Sequence, residues 1–145
     1  MSSIDDERTT AIGLFNFAES YRICADSLTN SRPSGLRFEQ PIQFLYWHAL
    51  ELFLKAFLRA KGVGIAELKS RYGHNLKKLQ AEAINRGFIK LELAAWLIEN
   101  WQPMDIFETR YIRTGAAQIP HLEDLALAVV ELKRTIEPIV MRGQP

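Results

Sequence analysis

The chain of 145 residues predicts an all-α fold, an up-and-down bundle of four to five helices. Three observations carry this expectation. Apolar residues recur at helical spacing along most of the chain. No window alternates strand-forming residues between turn signals. The stretches between periodic segments are short and rich in Gly, Pro, Asn and Ser. With 48% hydrophobic residues and no internal repeat, residues 1–145 are expected to form a single domain around one core.

Each element follows in turn. Leu14, Phe17, Ala18, Tyr21, Ala25 and Leu28 share a helical face, and Ser3 with Asp6 fits a capping box, so the first helix is expected over about residues 4–29. Asn30 to Gly35 is a run of turn formers, and Pro41 suits a first helical turn. From Pro41 to Lys61 nearly every position is apolar, with Gly62 and Gly64 as the stop. A helix apolar almost all round belongs at the centre of its bundle. Ile65 to Arg71 predicts a short helical turn, Gly73 breaks the pattern, and Leu76, Leu79 and Ala83 carry a third helix up to Gly87. Leu91, Ala94, Leu97, Ile98 and Trp101 make a fourth amphipathic run, which Pro103 ends. Residues 104–119 resist assignment. Pro120 opens a last helix through Leu122, Leu125, Val129, Leu132 and Ile136, with Pro138 near its end.

The net charge of +1 conceals an uneven distribution. Residues 1–54 hold 4 bases against 7 acids, residues 55–90 hold 9 against 2, and residues 91–145 hold 5 against 8. The centre is thus at +7 between two flanks of −3. An anionic partner within a Debye length of about 10 Å feels the near charges rather than the total.

Three constellations can carry chemistry. On the central helix, His48, Glu51, Lys55 and Arg59 are 3, 4 and 4 positions apart and form one polar stripe. It is either the helix's narrow solvent face, where a Glu51–Lys55 pair contributes only ~0.3 kcal/mol, or the lining of a groove or subunit interface. In the second case His48 is a titratable group and Lys55 and Arg59 meet phosphates. Lys69, Arg71, His74, Lys77 and Lys78 cluster around the start of the third helix, where bases oppose the helix dipole unless an anion is bound. The alternative is a solvated basic face, with His74 or Asn75 as the helix cap. Arg110, Tyr111 and Arg113 place arginines beside an aromatic ring, a pattern suited to stacking on bases and pairing with phosphate; Tyr111 packing on the core with Phe107 is the other reading.

Other chemistries find no support. His48, His74 and His121 fall on separate elements without a cysteine pair, so neither a metal nor any other cofactor is expected. Nucleophilic triads and glycine-rich phosphate loops are absent. The single cysteine, Cys24, cannot form an internal disulfide, and the acidic first residues do not read as an export signal. A cytoplasmic location and no membrane partner are the expectation, since the charges at 48–59 interrupt the most apolar stretch.

Phe17-Ala18-x-x-Tyr21-x-x-Cys24-Ala25, the helix Phe44-Leu45-x-x-His48-Ala49-Leu50-Glu51-Leu52-Phe53-Leu54-Lys55-Ala56-Phe57-Leu58, Gly73-His74-Asn75-Leu76-x-x-Leu79 and Thr109-Arg110-Tyr111 follow one another in this order. Together they resemble the HEPN superfamily, whose members carry an A-x-E-x-x-L-K-A central helix, an H-D-L-x-x-L element and an R-Y pair. The resemblance spans residues 17–113. It implies a helical bundle that commonly forms a symmetric homodimer, with RNA binding or RNA cleavage as the recurrent activity, in toxin-antitoxin, defence or RNA-processing systems, in some members beside a nucleotidyltransferase partner. Nuclease members carry an arginine and a histidine with four to six residues between them. Here Arg113 and His121 have seven between them, and Arg71 and His74 have two. The resemblance therefore implies a non-catalytic module binding RNA or a protein partner. The alternatives are a metal-independent ribonuclease using His121 as base and Arg113 as charge stabiliser, and a structural partner of a nucleotidyltransferase.

Overall fold

A computed structural model describes residues 8–101 and 120–142. Helices form at α1 (Ala11–Asn30), α2 (Gln40–Ala60), α3 (Ile65–Glu67), α4 (Leu76–Asn85), α5 (Glu92–Asn100) and α6 (Leu122–Arg142), with a π-helical turn at Leu68–Tyr72. All regular structure among the described residues is helical, and five of the six helices run for nine residues or more. No helix among them is long and apolar enough to cross a membrane.

The predicted first helix differs at its start. The expected start near residue 4 rests on the Ser3–Asp6 capping box, but Thr10 takes an extended conformation and its Oγ1 accepts from the Gly13 amide at 2.9 Å, so α1 begins at Ala11. The proposed Ser3–Asp6 capping box lies outside the described residues.

α2 is the axis of the packing, as its composition demands. Twelve of its 21 residues are buried, among them Trp47, Tyr46, Phe53 and Phe57. Burying one such large side chain contributes about 2 kcal/mol, so this one helix supplies a large share of the driving force for folding. Pro41 sits in its first turn. Its far end closes through Gly62 at φ +95°, where Gly62 N donates to Arg59 O and Val63 N to Leu58 O. Only glycine takes that left-handed position without strain, and the buried Val63 completes the cap. The same pair of bonds at Gly87 closes α4 and lays Phe88 edge-on to Phe57, centroids 5.1 Å apart.

α1 runs antiparallel to α2: Phe15 meets Phe53, Tyr21 meets His48, and Asp26 meets Tyr46. At one end of the pair the Tyr46 hydroxyl donates to Asp26 at 2.7 Å and lies 2.9 Å from Thr29 Oγ1, while Arg22 bridges Asp26 to Glu19. Burial, opposed by the contact with Thr29 and aided by the Asp26 carboxylate, holds this hydroxyl well above the usual tyrosine range. It therefore stays a donor. α6 packs on both α1 and α2, and α5 joins α6 to α4. The fully buried Gln43 of α2 donates through Nε2 to the carbonyl of Pro120 at 2.6 Å, holding the chain just ahead of α6. α6 continues four residues past Pro138, keeping Val140 in the core. The amide that Pro138 lacks would have met the carbonyl of exposed Arg134, which solvent can satisfy.

Candidate functional site

His48, Glu51 and Lys55 do lie on one face of α2, but that face is not a solvent stripe. Glu51 is 7% exposed and the Lys55 side chain 14%. Lys55 Nζ stands 3.1 Å from Glu51 Oε2. A pair this sheltered is not governed by the few tenths of a kcal/mol expected at a surface, because each charge has lost most of its water. α1 covers the neighbouring turn: the Tyr21 ring meets the His48 imidazole edge-on at 4.4 Å, and Phe44 stacks on it at 5.7 Å. Burial holds the His48 imidazole below the ordinary histidine range; the Glu51 carboxylate opposes this, and His74 and Lys55 add to it.

The second constellation folds onto the first. After α3 the backbone widens into the π turn, which buries Leu68 and Tyr72 and closes where Gly73 N donates to Leu68 O. Gly73 reverses the chain at φ +54°. Asn75, one of the two candidate caps, is the one used: its Oδ1 accepts from Lys78 N at 3.0 Å. His74 is left to reach across to α2, where its Nδ1 lies 3.1 Å from Oε1 and 3.0 Å from Oε2 of Glu51. Two groups that read as separate in the sequence are thus one cluster, with a buried carboxylate shared by a lysine and a histidine.

Beside this cluster the π turn, the start of α4 and the end of α5 enclose a cleft of about 410 Å³. Tyr72, Leu76, Ile98 and Trp101 line it on the apolar side, and Lys69, Arg71, His74, Lys77 and Lys78 line it as well. All five bases predicted around the third helix therefore converge. Arg71 pairs with Glu67 at 3.0 Å and lies over the Tyr72 ring, 5.6 Å from its centroid. Lys77 and Lys78 are exposed and have no ion-pair partner among the described residues. They occupy the first turn of α4, where the amides of Leu76 and Lys77 have no acceptor within the helix. Two ammonium groups, free amides and the positive end of the helix dipole act on the same volume, an arrangement whose natural counterpart is an anion. Periodicity marked Trp101 and Ile98 only as an apolar face; nothing local showed that they would wall the bases.

The remaining candidates are placed differently. Arg59 donates to the carbonyls of Thr9 and Val63 at 3.2 and 3.4 Å, joining the end of α2 to the chain ahead of α1. His121 is exposed just before α6, and its carbonyl accepts from the amides of Asp124 and Leu125. Arg110, Tyr111 and Arg113 lie outside the described residues. No group of three or more His, Cys, Asp or Glu side chains with metal-binding geometry occurs among the described residues. Comparison with family models, with curated proteins and with solved structures finds no match to this chain.

Proposed function

We propose that the chain is a HEPN-like helical-bundle module that binds RNA without cleaving it, holding the phosphate backbone at the basic cleft between the π turn and α4. The observation that carries this reading is the convergence of Lys69, Arg71, His74, Lys77 and Lys78 on one cleft, with Lys77 and Lys78 exposed and unpaired among the described residues. Bases at a helix N-terminus cost folding energy by opposing the dipole, and a bound phosphate reverses that cost. Two of the four segments on which the resemblance rests meet here: the one running from Gly73 to Leu79 lines the cleft through His74, Lys77 and Lys78, and the central-helix segment supplies the Glu51 carboxylate that His74 contacts.

The same reading makes the module a cytoplasmic homodimer. Supporting it is Phe17, an aromatic side chain 65% exposed on α1 one turn from Tyr21, which packs on His48. Sedimentation at high micromolar concentration should show a dimer that Phe17→Ser weakens; a strictly monomeric protein contradicts the arrangement.

The RNA-binding reading is tested at low salt with a short single-stranded oligonucleotide. Affinity should fall with rising salt, and reversing both charges with Lys77→Glu and Lys78→Glu should lower it at least tenfold and reduce the slope of log K against log salt by about 1.4. Absence of binding at low salt, or binding indifferent to the reversal, rejects it.

A further inference from the structure

The basic cleft has a second kind of wall that a phosphate alone does not use. Its charged lining comes from the π turn and the first turn of α4, where Lys77 and Lys78 are exposed, and no carboxylate belongs to it. The acids that pair with its residues stand outside the lining, Glu67 with Arg71 and Glu51 with His74, each at 3.0 Å. The rest is apolar, formed by Tyr72, Leu76, Ile98 and Trp101. A volume of about 410 Å³ falls among those that hold small organic ligands, about 300–1,000 Å³. An anionic group joined to a flat apolar body matches both walls. Trp101 is fixed for the second of them. Its amide donates to Leu97 O at 3.1 Å, its backbone then turns extended, and its ring meets that of Trp96 in a T-shaped contact with centroids 5.0 Å apart. Such a contact occupies at most one face of an indole, and Trp101 is only half-buried. The same wall holds a polar atom without a partner: Tyr72 is 6% exposed, and its hydroxyl makes no hydrogen bond among the described residues. Buried polar groups are nearly always paired, and the edge of a nucleobase carries donors and acceptors that suit a hydroxyl.

We propose that this cleft takes one unpaired nucleotide, its phosphate at Lys77 and Lys78 and its base stacked on Trp101, so that the module binds single-stranded RNA and rejects duplex. The proposal deepens the RNA-binding reading of the cleft and rests on it. In a duplex the bases are stacked on one another, and an A-form helix offers phosphates, 2′-hydroxyls and base edges but no base face. A duplex can therefore meet the lysines and leaves the indole without a partner. A single strand can turn one base out, and the phosphate and base of one nucleotide are joined closely enough to reach both walls of one cleft. Every base has a π-face, so the selection is for strandedness rather than for sequence. Charge by itself predicts the reverse order, because a duplex carries more phosphates per unit length and would hold the lysines at least as tightly.

The experiment titrates the protein at low salt with three RNAs of equal length: an oligouridylate, the same strand without bases, and a blunt duplex. Affinity and tryptophan emission are read together. The oligouridylate should bind about tenfold more tightly than either of the others and should quench the emission, which the abasic strand should not. Trp101→Leu should lose both the quenching and the tenfold preference, while the slope of log K against log salt keeps its wild-type value, because no charge has been removed. Trp101→Tyr returns a ring to the position and should restore the preference, which separates stacking from a general loss of packing. The proposal is overturned if oligouridylate and abasic strand bind alike, or if duplex binds as tightly as oligouridylate, while the Lys77→Glu, Lys78→Glu protein still binds poorly; that outcome leaves the RNA-binding reading intact. A preference that survives in Trp101→Leu overturns it equally. Uridine monophosphate that binds as tightly as the strand makes a free nucleotide the ligand and overturns the assignment to RNA. Absence of binding by all three RNAs at low salt rejects both readings together.

Discussion

At the scale of the residue, Glu51 is the position on which most depends. Its carboxylate is taken almost wholly out of water, and that is tolerable only because Lys55 and His74 supply donors on both oxygens. Replacing Glu51 by Leu strands the Lys55 ammonium, whose side chain is 14% exposed, and should lower stability by about 3 kcal/mol in denaturant unfolding. Adding Lys55→Met should restore most of the loss, because an apolar pair of similar volume needs no compensation for lost hydration. A surface ion pair would show neither effect, since each single change would then cost under about 1 kcal/mol. The spacing of Glu51 and Lys55 was legible in the sequence because it is a property of one helix. The third member was not, because His74 lies 23 residues away and reaches Glu51 only after a π turn and a left-handed glycine have folded the chain back.

At the scale of the element, α4 shows how a local cap positions a site. Two neighbouring residues, His74 and Asn75, could each have capped this helix, and the choice of Asn75 is what frees the histidine for α2. Asn75→Ala removes the acceptor for the Lys78 amide and should cost about 1 kcal/mol. Thermal unfolding would read that loss, and a variant as stable as the parent would show that the cap contributes nothing. Elements whose apolar pattern is continuous were the legible ones: α2 and α6 lie within a few residues of their expected bounds, for their burial is written in every turn. α1 began later than expected because one hydroxyl at Thr10 decided the boundary, and the π turn was read only as a short helical turn because no side-chain period distinguishes the two.

At the scale of the whole molecule, the pH response of folding follows from His48. Burial depresses its affinity for a proton in the folded state, so below the unfolded value of about 6.5 the unfolded chain binds more protons and folding loses ground. Stability should therefore be full above that pH and decline as the pH falls from there towards 5, and His48→Gln should flatten the decline; an unfolding midpoint in urea that is constant across this window contradicts it. The all-helical class was legible because no strand pattern competed with it, and the five bases were legible as a cluster because they fall within ten residues; the wall that Ile98 and Trp101 give their cleft was not, since it depends on how α5 is set against the π turn. The buried bond from Gln43 to the Pro120 carbonyl has a consequence for the order of folding. The contact between Thr29 and Tyr46 closes a loop of 17 residues, while Gln43 to Pro120 closes one of 77. The longer loop costs about 1 kcal/mol more in chain entropy, so the α1–α2 hairpin is expected to assemble first and α6 to dock after it. Gln43→Leu should then speed unfolding and leave the folding rate nearly unchanged in a chevron measurement, the behaviour of a clasp that sets how long the folded state lasts; a slowed folding limb would place the bond in the early structure instead.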